Sequence, residues 1–93
     1  MKRLSPEDID KINAHWDDNE LTSLMWELIS DRRVAELIKL FQEAPEAPHM
    51  RSSDGRGPMW WAFEYKRTKI VDILKKMGVS DQLTDAEGRR PGE

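Results

Sequence analysis

The stretch Asp54–Gly78, DGRGPMWWAFEYKRTKIVDILKKMG, decides how the rest of this chain is read. Pro58 suits the first position of a helix, because its missing N–H would be unpaired there in any case. Met59, Ala62 and Phe63 then share one face. Lys66-Arg67 is a short polar interruption, and Ile70, Val71, Ile73, Leu74 and Met77 follow at helical spacing. Gly78 stands where a left-handed residue closes a helix. The stretch therefore predicts two short helices joined by a tight turn, with their apolar sides facing each other.

The same grammar extends towards the N-terminus. Ser5-Pro6-Glu7-Asp8 is a helix start with a cap, a proline and acids at the positive end of the helix dipole. Ile9, Ile12 and Trp16 predict one apolar stripe along that helix. Asp17-Asp18-Asn19 ends it and can cap the next, whose apolar side is expected to hold Leu21, Leu24, Met25, Leu28 and Ile29. Ser30-Asp31-Arg32 predicts a tight turn. Arg33–Glu43 follows as a helix with Val34, Leu37, Ile38, Leu40 and Phe41. Ala44-Pro45-Glu46-Ala47-Pro48 stops it, since proline cannot continue a helix, and an extended loop runs to about Gly57. From Val79 onward the chain is polar and rich in turn residues.

An internal repeat ties these pieces together. Gly55 and Gly88 are 33 residues apart, as are Pro58 and Pro91. The same offset carries Leu37 to Ile70, Ile38 to Val71, Leu40 to Ile73 and Phe41 to Leu74. Six matches at one offset, without gaps, indicate a repeat array whose units bury their faces against each other.

The segment Asp54–Gly78 resembles an ankyrin repeat: Gly55, Pro58, Met59, Ala62, Ile70, Val71, Leu74 and Gly78 fall in register with the family pattern. Asp85–Pro91 looks like the turn that begins a further repeat. Gly57 and Trp60 replace the family's usual Thr and His, and Lys66-Arg67 replaces its Gly-His. The match is specific over 54–91, rests on apolar pattern alone over 21–53, and does not extend to 1–20. The resemblance implies an all-α fold of stacked, ankyrin-like helix-turn-helix repeats. It divides the chain into an N-terminal helix and linker (1–20) and a repeat domain (21–93), with repeats at about 22–54 and 55–87 and a stub at 88–93.

Composition limits the function. The chain has 93 residues, no cysteine and a net charge of −3. Thiol chemistry, Cys-ligated zinc and disulfides are thereby excluded. No apolar run approaches the length of a membrane span, and the start has no secretory pattern; an intracellular setting, cytoplasmic or nuclear, is expected. Residues 1–31 hold three basic and eight acidic side chains, a net −5, while the remainder is +2. Neither half offers a strong field for nucleic acid. His15 and His49 lack metal-ligand spacing, and no phosphate loop or catalytic grouping is evident. The expectation is a non-enzyme without cofactor or metal.

What remains is partner recognition, which the resemblance places on the hairpin tips and first-helix surfaces. Those positions are Asp31 and Arg32 in the earlier unit and Ser53, Asp54, Arg56, Glu64 and Tyr65 in the later one. Trp60-Trp61 adds an aromatic pair pointing about 100° apart on a helix. Either Trp61 packs against a neighbouring repeat or, with no complete repeat following, it is an exposed anchor for a partner. At least one of Trp61 and Tyr65 is expected to be solvent-accessible unless residues 79–93 fold back over both. The function expected is a protein–protein interaction module, with neither nucleic acid nor membrane as partner. The alternative is a structural or regulatory piece that docks on the rest of a larger protein or forms a homodimer, since a repeat start at 88–93 suggests that more should follow.

Overall fold

The computed structural model describes residues 3–93, and over them the chain is all-helical. Five α-helices follow one another: α1 (Pro6–Ala14), α2 (Glu20–Ser30), α3 (Val34–Glu43), α4 (Pro58–Glu64) and α5 (Thr68–Lys76). A single 3-10 turn, Ala47–His49, interrupts the long loop between α3 and α4. Among the described residues there is no strand, only an isolated bridge between Trp16 and Arg51.

The caps explain where the helices begin. Ser5 accepts from the Asp8 N–H, with Pro6 in the first turn of α1. Asn19 and Thr22 form a reciprocal box at the start of α2: Thr22 N–H donates to the Asn19 side chain and Asn19 N–H to the Thr22 hydroxyl. α1 ends at Ala14, earlier than its apolar stripe suggested. Trp16 lies beyond the helix, where its indole N–H donates to the Asn13 carbonyl at 3.0 Å.

α2 and α4 lie side by side at the centre, with α3 packed on α2 and α5 on α4. The core between them includes Met25, Leu28, Ile29, Leu37, Phe41, Met59, Ile70, Val71 and Leu74, all buried. One expectation for α2 fails. Leu24 is 41% exposed, because α3 and α4 cover only the Met25, Leu28 and Ile29 side. The last carbonyls of α2 are held across the pair boundary by Arg67, which donates to Ile29 and Ser30 at 3.0 and 2.6 Å. A guanidinium at a helix C-terminus satisfies orphan carbonyls and opposes the negative end of the dipole.

The 33-residue period is visible in backbone geometry. The hairpin turn at 52–56 is closed by Ser52 N–H to Arg56 carbonyl and Gly55 N–H to Ser52 carbonyl. At 85–89 the same two bonds recur, from Asp85 to Arg89 and from Gly88 to Asp85. Gly55 and Gly88 take φ of +81° and +77° in the left-handed region. The two turns stack through Ala86 N–H to the Asp54 carbonyl, 2.8 Å. The helix turns instead repeat at 34: Arg32 and Lys66 have φ of 59° and 57°, and Arg33 and Arg67 donate back to Leu28 and Ala62. Leu37 and Phe41 therefore sit one position later after their turn than Ile70 and Leu74 do after theirs.

Arg51, in the loop that leads into the first hairpin, is the hub of this ladder. It is 7% exposed, with its guanidinium carbon 4.6 Å from the ring centroid of Trp16 and 4.9 Å from that of Trp60. Its N–H groups donate to the carbonyls of Gly55, Asn13 and Thr84. One cation thus joins the N-terminal segment, the first hairpin and the second, through bonds strengthened by charge and by two aromatic faces. The tail after Val79 accordingly packs where an open end was expected: the Trp60 indole N–H donates to the Arg89 carbonyl at 3.1 Å.

Candidate functional site

The largest hollow among those described lies where α2, α4 and the first hairpin meet. It encloses about 820 Å³ and is lined by Asp18, Thr22, Ser23, Trp26, Glu27, Ser52, Ser53, Asp54 and Trp61. The hollow continues along α2 over Asn19, Glu20 and Leu24. Helical spacing produces one wall: Thr22, Ser23, Trp26 and Glu27 lie three and four residues apart and share a face of α2. Hydrogen bonds fix the other wall. Asp18 accepts from the Ser53 backbone N–H at 2.9 Å and from its hydroxyl at 2.7 Å, and these two bonds, backbone first, hold the Asp18 carboxyl below the usual carboxylate range. Asp54 accepts from the Arg56 N–H at 3.0 Å, closing an Asx turn at the tip.

Trp61 is not the exposed anchor that the absence of a full following unit suggested. It is 7% exposed. The physical reason is direction: Trp61 is on the α2 side of α4, so the preceding helix pair covers it. The 79–93 tail meets Trp60 and Phe63. Tyr65, one helical turn further, is half-buried. Its ring meets Trp26 edge-on, with centroids 6.2 Å apart at 72°.

The exposed aromatic in the groove is Trp26, 44% accessible. Sequence reasoning passed over it because it falls outside the α2 apolar stripe. That was also the usable signal: Trp26 is adjacent to the buried Met25, so helical geometry turns it about 100° out of the core. A large aromatic out of phase with its own stripe is a candidate contact residue.

The remaining expected positions divide. Ser53 and Asp54 line the groove with Trp61. Arg56 and Glu64 form an ion pair at 3.1 Å on the other side of the hairpin, where they line a second hollow of about 310 Å³ with Trp60, Phe63, Asp85 and tail residues. Asp31 and Arg32 are exposed in the α2–α3 turn and line neither hollow.

Among the described residues no group of three or more His, Asp or Glu side chains is placed to hold a metal ion, and no helix is long and apolar enough to cross a membrane. His49 is buried, at 2% exposure, with its Nδ1 unpaired; burial first and Arg3 second push its pKa down. It lines neither hollow. No protein-family model, curated protein or solved structure matches the chain.

Proposed function

We propose that this chain is a non-catalytic protein–protein interaction module that takes its partner in the groove between α2, α4 and the first hairpin. The observation that carries the reading is the partly exposed Trp26 beside a floor of Trp61 and a rim of Ser53 and Asp54. A rigid aromatic anchor beside hydrogen-bonding groups is how binding surfaces concentrate their energy.

The second part of the proposal concerns architecture: the two helix pairs are stacked ankyrin-like units, with α2 and α4 as the inner helices. Three features support it. The hairpin bonds recur at 33 residues, the hairpins lie edge to edge through the Asp54–Ala86 bond, and α2 and α4 are neighbours. Lys66 also holds the left-handed backbone that the family pattern assigns to glycine. A groove bounded by inner helices and hairpin tips is the surface that such an arrangement leaves open.

Affinity capture with the wild-type chain beside Trp26→Ala and Asp54→Lys tests the function. Both variants should keep the wild-type helical circular dichroism and lose the same captured protein. A partner retained equally by wild type and both variants would place recognition elsewhere.

A further inference from the structure

Charge assigns a chemistry to the occupant of the groove. The hollow and its extension along α2 are lined by four carboxylates, Asp18, Glu20, Glu27 and Asp54, and by no lysine or arginine. Local cations do little to cancel them. Arg33 reaches Glu27 only at 4.0 Å and gives its close bonds to Glu36, and the Arg56 guanidinium turns away to Glu64. Asp18 spends its hydrogen bonds on a neutral serine, so its charge persists. These carboxylates are flanked by Trp26 in the hollow and, across the Ser23–Glu27 ridge, by Leu24 in its extension, the most exposed large apolar side chains of the described residues.

From this juxtaposition of four carboxylates with an exposed tryptophan on one side of them and an exposed leucine on the other, we infer that the groove takes a basic segment of another protein. In that segment lysine or arginine side chains alternate with apolar ones. The inference rests on the groove being the binding surface and adds the identity of what fills it. Each part of the segment has a counterpart. Carboxylates draw in and orient cations. The face of Trp26 accepts a guanidinium or ammonium group. The Trp26 edge in the hollow and Leu24 in its extension each give an apolar side chain a place to leave water. The same field repels nucleic acid and acidic peptides. The basic residues of α5 lie apart from this groove: Lys66, Arg67 and Lys75 line a different hollow, together with Val71 and Asp72.

The test uses short fluorescent peptides with alternating leucine and arginine, alternating leucine and glutamate, or alternating leucine and glutamine, titrated into the full chain. The arginine peptide should bind, weaken as salt rises, and outbind the glutamate peptide by more than about tenfold. Trp26→Ala, which leaves net charge unchanged, should weaken it about tenfold or more, in the range of a contact hot spot. Glu20→Lys should do likewise, whereas Asp72→Lys on α5, with the same change in net charge, should leave binding within about twofold. Equal effects of Glu20→Lys and Asp72→Lys would reduce the attraction to bulk charge and overturn the inference. So would self-association competing with the peptide, or preference for the glutamate peptide. Should the captured partner depend on Trp26 yet dock through an acidic or neutral segment, the basic assignment fails while the groove stands. Should the partner ignore Trp26, the groove itself fails.

Discussion

Trp26 and Trp61 stand on adjacent helices, α2 and α4, and both border the same groove, yet one is 44% exposed and the other 7%. Residue type does not separate them; position relative to the neighbouring pair does. Trp61 is on the side of α4 that meets α2, so it joins the core. Trp26 is on the free face of α2, touched edge-on by Tyr65. The same indole therefore serves cohesion at one site and is left for recognition at the other.

That contrast predicts opposite consequences for one substitution. Trp61→Ala should destabilise the fold by about 3–5 kcal/mol, the usual cost of emptying a buried aromatic site, and for a small domain this is most of its stability. Urea unfolding measures it. A loss below about 1 kcal/mol would mean that Trp61 is not part of the core.

Arg51 sharpens the comparison from the hairpin side, because it holds Trp60, the neighbour of Trp61, against the N-terminal segment. Arg51→Met keeps the length and removes the charge-assisted bonds. It should cost about 2–3 kcal/mol, seen as a lower melting temperature with Trp16 and Trp60 fluorescence shifted towards that of hydrated indole. An unchanged melt would show that the hairpins stack without it.

Burial also separates the two histidines: His49 is buried and His15 exposed. The His49 pKa is pushed below its ordinary value of 6.5. Above 6.5 the ring is neutral in both states. As pH falls through that value the unfolded chain takes up a proton that the native one resists, so stability drops, with a slope that cannot exceed about 1.4 kcal/mol per pH unit for one proton. His49→Leu should flatten this part of the stability–pH curve. The carboxylates of Asp18 and Asp85, held low by hydrogen bonds, act in a separate window, losing their contribution only as pH falls through and below the ordinary aspartate value. A wild-type curve flat between pH 7 and 5 would contradict the His49 account.

The smallest effect on stability belongs to Trp26→Ala, about 1 kcal/mol from the lost edge contact with Tyr65, because its ring is nearly half in water already.

Much of this arrangement was legible in the sequence. The helix starts at Ser5-Pro6 and Pro58, the stop at Pro45 and the buried set Leu37, Phe41, Ile70, Val71 and Leu74 follow from local chemistry and spacing. So do the two hairpin turns, since Gly55 and Gly88 mark a backbone that other residues resist. Features that depend on which elements become neighbours were not legible. Arg51 reads as a solvated loop residue until Trp16 and Trp60 are found on its two faces. Leu24 reads as core until α3 and α4 are seen to cover only one side of α2. Trp61 reads either as packed against a neighbouring repeat or as an exposed anchor, and only its burial on the α2 side of α4 decides for packing. For the site, Ser53, Asp54 and Tyr65 were identifiable as hairpin and first-helix positions. Asp18 was not, because its place in the groove comes from bonds to Ser53, 35 residues away.

Amide chemical-shift mapping on isotope-labelled chain, during titration with the alternating leucine–arginine peptide, tests the central claim most directly. The account predicts that the perturbed amides cluster at Asp18, Ser23, Trp26, Ser53 and Asp54, with the Trp26 indole N–H moving furthest of the four tryptophans. Perturbations centred instead on Lys66, Val71 and Lys75, with Trp26 unmoved, would contradict it.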